Sequence, residues 1–266
     1  MVSLGSANLM TSLSRLTFTM RRVIAAKGFS GLLDTAWHRL LRRPVVAEPR
    51  ISKYSFDTRY GVHTSGLLNS TSENDQFAYY GINPSVFCGA CRRWMDTLNS
   101  PAHLEKYSFV DLGSGLGRAL LLASELPFRE VIGVEVSPEL VAGARNNIET
   151  WIAGGHSRAP IRVQQQDVRQ FDFPRAPLLV FLYNPFGERT LLEVLARLSS
   201  LCQLSSGTID ILYCYPKYGY VFDKKSPFKK LWIAPIPLDE EDRSADAFGS
   251  KVEVCAVYRC SSHQKK

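Results

Sequence analysis

Residues 107–122 read Y-S-F-V-D-L-G-S-G-L-G-R-A-L-L-L, and three local signals follow one another in this stretch. A short apolar run ends in Asp111, glycines occupy alternate positions from 113 to 117, and an apolar run at helical spacing follows. This order predicts a buried strand, a tight turn and a helix. Glycines at such a turn permit positive φ angles and allow a ligand to lie directly against the backbone.

The spacing of the glycines separates two classes of turn that bind adenosine-containing ligands. Dinucleotide-binding turns carry the pattern G-x-G-x-x-G, with a third glycine where helix and strand pack closely. Counted from Gly113, that third position holds Arg118. The pattern present is D-x-G-x-G-x-G, which argues against a nicotinamide oxidoreductase.

The chain alternates between strand-like and helix-like segments from this stretch onward. Strands are predicted at residues 108–112, 131–135, 161–165, 178–183, 208–215, 230–236 and 251–259, and helices at 86–98, 116–126, 137–151 and 188–202. Ser137 and Pro138 suit the N-cap and first position of one helix, and Ser85 suits the N-cap of another. The alternation predicts an α/β fold with a doubly wound, seven-stranded, mostly parallel Rossmann-like sheet and an antiparallel edge.

In such a sheet a ligand binds outside the carboxyl ends of the strands, beside the first strand. The candidate cofactor-binding residues therefore follow successive strands: Asp111, Gly113, Ser114, Gly115 and Gly117 after the first, Glu135 at the end of the second, Asp167 and Val168 after the third, and Asn184 after the fourth. A carboxylate such as Glu135 can accept hydrogen bonds from both ribose hydroxyls. Asp167 and the backbone N–H of Val168 suit the edge of an adenine ring.

Four segments, F-V-D-L-G-S-G-L-G-R, V-I-G-V-E-V-S-P-E-L, Q-Q-Q-D-V and F-L-Y-N-P-F-G, resemble the motifs of class I methyltransferases. These enzymes use S-adenosylmethionine (AdoMet) and release S-adenosylhomocysteine. The resemblance spans residues 107–215 and implies a Rossmann-like methyltransferase core with AdoMet as cofactor and no metal.

The segments F-V-D-L-G-S-G and N-x-F-G further resemble the Dot-type, non-SET lysine methyltransferases. Y-G-V-x-T-S-G, at residues 60–66, is similar to a stretch ahead of the fold in related bacterial class I methyltransferases. In the Dot-type family the loops ahead of the glycine turn help to close over AdoMet, which makes Tyr60, Thr64 and Tyr80 candidates. The long basic regions of that family are missing here unless residues 1–53 serve, so histone specificity is not implied.

The candidate catalytic residues are Asn184, Pro185 and Phe186; the Asn-Pro pair is similar to the N-P-P-[YF] of amino-group methyltransferases. AdoMet is already activated, so the enzyme chiefly aligns an in-line transfer. The Asn184 side-chain oxygen and the Pro185 carbonyl can accept hydrogen bonds from an amine, and Phe186 can wall the pocket. We therefore predict methyl transfer to nitrogen, on a protein lysine or another amine. The alternatives are a catalytically silent AdoMet-binding scaffold and a small-molecule O-methyltransferase.

Positive charge is concentrated at the start of the 266-residue chain. Residues 1–53 hold nine Lys/Arg and two Asp/Glu, which equals the net charge of +7 for the whole chain. The rest is neutral overall and carries no nucleic-acid signature by composition. The predicted organisation is a basic helical extension over 1–53, lid loops and a helix over 54–105, and an AdoMet-binding core over 106–262.

Apolar residues in the extension recur at helical spacing and allow three interpretations: packing on the core, contact with an anionic membrane surface, or an organelle-targeting segment. No apolar run reaches the roughly eighteen residues that a membrane span needs. The expected location is the cytoplasm, with organelle targeting or peripheral membrane association as the alternatives. The methyl acceptor, a protein or a small molecule, is the expected partner.

Six cysteines bear on redox chemistry and metal binding. Those in or beside apolar segments are predicted to be buried free thiols in a reducing compartment: Cys202, Cys214, Cys255 and Cys260. Cys88 and Cys91 form a C-x-x-C and are predicted to be two thiols on a helix. No second ligand pair at zinc spacing accompanies them, which leaves a redox or metal role as the alternative.

Overall fold

The computed structural model describes residues 55–65, 79–98, 101–204, 207–245 and 250–261. The expectations for residues 1–53 lie outside these described residues. The same holds for parts of the predicted lid.

A seven-stranded sheet forms the centre of the described chain. Its strands are β1 (Ser108–Leu112), β2 (Glu130–Glu135), β3 (Ile161–Gln165), β4 (Leu178–Tyr183), β5 (Thr208–Cys214), β6 (Lys229–Pro237) and β7 (Val252–Ser261). Their spatial order is β3-β2-β1-β4-β5-β7-β6. Strands β1 to β5 run parallel, whereas β7 is antiparallel to both β5 and β6. The doubly wound, mostly parallel sheet is thus confirmed, although the antiparallel strand lies next to the edge rather than at it.

The described helices are α1 (Ser55–Tyr60), α2 (Pro84–Met95), α3 (Arg118–Ser124), α4 (Pro138–Ala153), α5 (Glu188–Leu204), α6 (Tyr220–Lys225) and α7 (Glu240–Ala245). Helix α4 begins as predicted, because the Ser137 hydroxyl accepts a hydrogen bond from the Leu140 N–H at 3.3 Å. The N-cap prediction for α2 is wrong. Asn83 is the N-cap and Pro84 the first helical residue, while the Ser85 N–H and hydroxyl both donate to Asp242.

Side chains alternate between the two faces of the sheet and build one apolar layer on each. Phe109 of β1 faces the layer of α2, where Phe87 contacts it at 6.0 Å between ring centroids. Its neighbour Val110 faces the opposite layer, which includes buried residues of α5. Because successive side chains of a strand point to opposite faces, every second residue of β1 can contact α2, and this helix packs directly on the sheet. This helix of the predicted lid region is part of the core.

The free-thiol prediction is wrong for one pair of cysteines. Cys202 of α5 and Cys260 of β7 form a disulfide, since the two elements bring their Cα atoms to 6.5 Å. Cys214 and Cys255 are buried free thiols, as expected. Cys88 is exposed and Cys91 buried on α2, in agreement with two thiols on a helix.

Candidate active site

The glycine turn joins the carboxyl end of β1 to α3. All three glycines have positive φ, at 77° for Gly113, 53° for Gly115 and 86° for Gly117. Backbone N–H groups of residues 113 and 114 donate to the Val134 carbonyl, which holds the turn against β2. A Cβ atom on Gly113 would lie 2.4 Å from Pro185 Cβ, and one on Gly115 would lie 2.0 Å from the Tyr79 ring. Packing within the protein therefore already requires glycine at both positions.

Two polar groups at this turn have no hydrogen-bond partner in the described part of the chain. The Ser114 hydroxyl oxygen is buried and has no hydrogen-bond partner among the described residues. Asp111 is only 3% exposed, and none of the described groups donates a hydrogen bond to its carboxylate. Burial raises the pKa of Asp111 well above its usual value, and the neighbouring Glu135 carboxylate raises it further. Buried polar groups are normally satisfied, so this pair indicates that a ligand completes the site.

Glu135 braces the turn from the end of β2. One carboxylate oxygen accepts a hydrogen bond from the Gly115 N–H at 2.9 Å. The other accepts from the N–H groups of Val136 and Ser137. A carboxylate offers about four acceptor positions, so these three bonds leave room for one more. Glu135 can therefore accept fewer hydrogen bonds from ribose hydroxyls than a carboxylate with two free oxygens could.

The residues after β3 make contacts within the protein. Both oxygens of Asp167 accept hydrogen bonds from the Arg169 side chain, and this contact lowers the pKa of Asp167. Val168 is buried in the layer that faces α5, and its carbonyl accepts from Arg197 at 3.3 Å. An adenine contact by Asp167 would have to share the carboxylate with Arg169.

The loop after β4 lies beside the glycine turn. Asn184 adopts a φ of 45°, in the left-handed region that asparagine tolerates better than most residues. The Tyr213 hydroxyl donates to Asn184 Oδ1 at 3.2 Å, while Pro185 packs on Gly113 and Phe186 is buried. The sheet topology thus brings this loop to the turn through Pro185, while Phe186 packs in the apolar layer that includes α5.

Two of the three candidates ahead of the fold, Tyr60 and Thr64, occupy different surroundings. The Tyr60 ring packs on Trp151 and His156, near the end of α4, with centroids 4.8 and 5.0 Å away. Gly117 contacts the same helix at Ala144, seven residues earlier, or about 10 Å along the axis. Thr64 is buried beside Arg118, and its hydroxyl both accepts from Arg118 and donates to Asp57. Neither placement tests a contact with the cofactor.

Several residues of the site escaped the sequence analysis. Arg118, Asp57 and Asn147 are polar residues that bind loops around the turn. Tyr79 and Tyr213 contact Gly115 and Asn184. Only Arg118 left a signal in the sequence, as the side chain that stands where a dinucleotide-binding turn has its third glycine.

The sequence matches no protein-family model and none of the curated proteins. Three solved structures have a similar fold. A candidate RNA methyltransferase of Pyrococcus horikoshii is 20% identical, with 78% of this chain and 97% of that chain covered and a TM-score of 0.45. The tRNA (uracil-54, C5)-methyltransferase of Pyrococcus abyssi in complex with S-adenosyl-L-homocysteine is 17% identical, with 69% of this chain and 39% of that chain covered and a TM-score of 0.45. An RNA methyltransferase of Salinibacter ruber with the same ligand is 17% identical, with 71% of this chain and 96% of that chain covered and a TM-score of 0.39. At these identities and TM-scores the similarity carries no information on substrates or residue roles.

The described part of the chain contains neither a membrane-spanning helix nor a cluster of metal ligands. No helix there is long and apolar enough to cross a membrane. No three side chains of His, Cys, Asp or Glu gather there into a group that could hold a metal ion.

Proposed function

We propose that the chain is an AdoMet-dependent methyltransferase that transfers the methyl group to nitrogen. The observation that carries the proposal is the contact between two loops, in which Pro185 packs directly on Gly113. One loop holds the unpartnered hydroxyl of Ser114 and follows the buried Asp111 of β1, and the other presents Asn184. Transfer between a bound cofactor and a bound acceptor requires that their two sites be adjacent, as these loops are.

The charges beside the turn favour AdoMet over a dinucleotide. AdoMet, when bound, supplies a methyl group on a positively charged sulfur. Two buried carboxylates, Asp111 and Glu135, stand next to the turn, and a cation nearby stabilises their ionised forms. The same carboxylates would repel the pyrophosphate of a nicotinamide dinucleotide.

Tyr213 orients the Asn184 amide for an acceptor. Burial raises the pKa of Tyr213, which keeps its hydroxyl protonated and able to donate to Asn184 Oδ1. That bond uses one of the two lone pairs on the oxygen. The other lone pair and the Pro185 carbonyl are left to accept N–H groups of an amine and to aim its nitrogen.

The surroundings of Asn184 also suit a cation. The rings of Tyr80 and Tyr183 lie 6.4 Å apart between centroids, on the face of the sheet that carries α2. Glu253 of β7 lies at the same edge, because the Tyr215 N–H bonds the neighbouring carbonyl of Val254. Burial first, and then the Glu253 carboxylate, raise the pKa of Tyr183. Aromatic faces and a carboxylate together attract a protonated amine, which must lose one proton to solvent before its lone pair can attack the methyl group. We therefore favour a lysine side chain or another amine as acceptor.

The central test replaces Asn184 by alanine. We expect turnover to fall by between about tenfold and a thousandfold, because an aligned acceptor of the substrate N–H is lost. Turnover is measured as transfer of tritium from methyl-labelled AdoMet to proteins and small molecules of a lysate. AdoMet binding, measured by calorimetry, should stay within about twofold.

Asn184→Gly is the matched control, because glycine adopts the positive φ of this position without strain. Equal losses of turnover in the alanine and glycine variants assign the effect to the missing amide. A loss confined to alanine assigns it to the backbone, and equal losses of binding and turnover contradict the catalytic role. Labelled products that survive treatment with base support nitrogen over carboxylate oxygen as the acceptor atom.

A further inference from the structure

Arg118 is a buried arginine at the junction of the glycine turn and α3. Its side chain is 4% exposed. It donates to acceptors from two separate segments that precede the sheet: Thr64 Oγ1 at 2.7 Å, Ser65 Oγ at 2.7 Å, the Gly81 carbonyl at 3.2 Å and the Ile82 carbonyl at 3.1 Å. We call these segments, residues 57–65 and 79–82, the cover. One guanidinium thus joins both parts of the cover to the start of α3.

The cover in turn reaches the glycine turn. The Tyr79 hydroxyl donates to the Thr64 carbonyl at 2.7 Å, and the Tyr79 ring lies against Gly115. Asp57 ties the first segment together by accepting from the Thr64 N–H and the Ser65 N–H, both at 2.9 Å. The position of Tyr79 over the turn therefore depends on Thr64, which Arg118 binds.

The Arg118 guanidinium also packs closely against the backbone of the cover. A Cβ atom on Gly81 would lie 2.9 Å from the Arg118 guanidinium carbon, so a side chain there would displace the arginine. Among the described residues the nearest carboxylate is that of Asp57, 3.8 Å away, and the closer acceptors are neutral oxygens. Removing hydrogen-bond acceptors from a buried cation is costly. Opening the cover would take these four acceptors from Arg118, which favours the closed arrangement.

We propose that Arg118 is a positioning residue that holds the cover on the glycine turn and thereby sets the affinity of the turn for its ligand. The inference rests on the proposed function only in taking that ligand to be AdoMet or its product. Arg118 acts through Thr64 and Tyr79 and takes no part in methyl transfer.

The test combines Arg118→Ala with two readouts on the full chain. Amide hydrogen exchange should speed up in peptides from the cover, while peptides from β1, β4 and β5 keep their protection. The affinity for S-adenosylhomocysteine, measured by calorimetry, should fall by roughly ten- to a hundredfold. Guanidinium chloride at millimolar concentration should restore part of the affinity by filling the vacated space, and ammonium chloride should not.

Arg162→Ala is the matched control, because Arg162 lies near the start of β3 and binds Glu130 at the surface, 3.2 Å away. It removes a surface arginine contact outside the cover and away from the turn, so affinity should be unchanged. If the alanine variant of Arg118 does not fold, Arg118→Lys keeps the charge but loses two of the five N–H donors and the planar geometry of the guanidinium.

Three results would overturn the inference: unchanged affinity in a folded Arg118 variant, unchanged exchange in the cover, or an equal loss of affinity in the Arg162 variant. Failure of the wild-type protein to bind the product is a different result, because it contradicts the proposed function. The affinity half of the inference would fall with it, and the exchange data would still decide whether Arg118 holds the cover.

Discussion

Two buried carboxylates, one in each half of the sheet, have opposite surroundings. In the amino-terminal half, Asp210 of β5 is fully buried and accepts from the Trp94 indole N–H at 2.7 Å. Two nitrogens of Arg259 donate to the same carboxylate at 2.7 and 2.8 Å, and Arg259 also donates to Thr97. This network closes on itself and joins β5, β7 and the segment that follows α2.

The carboxyl edge is left open by comparison. Asp111 is as deeply buried as the residues of the closed network but receives no hydrogen bond from the described groups. Ser114 has an unpartnered hydroxyl, and positive φ angles recur in the turn and at Asn184 and Tyr215. Unsatisfied polar groups and unusual backbone conformations cost stability and are kept where a site needs them. The contrast locates the site without reference to any other protein.

The largest effect should come from opening the closed network with Arg259→Ala. The Asp210 carboxylate would then be buried without its cation, which costs about 3–5 kcal/mol of the free energy of unfolding. Urea unfolding followed by circular dichroism measures this loss. Asp210→Asn in the same chain should recover part of it, and the folded fraction should bind S-adenosylhomocysteine as tightly as the wild type. Weakened binding by the folded fraction would show that the two halves are not independent.

Asp111→Asn should produce an intermediate effect of a different kind. The pKa of Asp111 is higher in the folded state than in the unfolded state. Its contribution to the free energy of unfolding is therefore fully present below the unfolded-state pKa of about 3.9 and is lost as the pH rises through the folded-state pKa. The asparagine variant has no such titration, so its stability should fall less between pH 4 and pH 8. Urea unfolding at a series of pH values checks this, and parallel curves for the two proteins would refute it.

The smallest effect should follow from Tyr213→Phe. This change removes only the hydroxyl that orients Asn184, so turnover should fall by about three- to tenfold, near the value of one neutral hydrogen bond of about 1 kcal/mol. Cofactor affinity and the urea midpoint should hardly change. If turnover is unaltered, the amide of Asn184 is oriented by other contacts.

The sequence predicted the strands well because each pairs a short apolar run with a clear boundary. The predicted bounds of β3 and β4 agree with the structure residue for residue, and the glycine turn lies where its spacing places it. The short helices α1, α6 and α7 were missed. Six residues are too few for a helical period to show, and tertiary contacts such as Arg59 with Glu241 hold such helices.

The candidate site could be predicted only where chemistry follows strand ends. Asp111, Glu135 and Asn184 meet at one edge because parallel strands bring their carboxyl ends together. Partnerships between distant residues leave no local pattern, so the pairing of Arg118 with Thr64 could not be seen in the sequence. The same reason explains the disulfide between Cys202 and Cys260, which are 58 residues apart. The cofactor and catalytic roles of the individual residues remain predictions.

The packing of Pro185 on Gly113 has a consequence for engineering the protein. The separation between the two loops is fixed by backbone atoms, with no side chain at Gly113 to shorten or lengthen. Under the proposed function, attempts to change the acceptor should leave these two positions untouched and vary Tyr80 and Tyr183. A library at these two tyrosines would alter which acceptor binds while preserving the separation between the two loops.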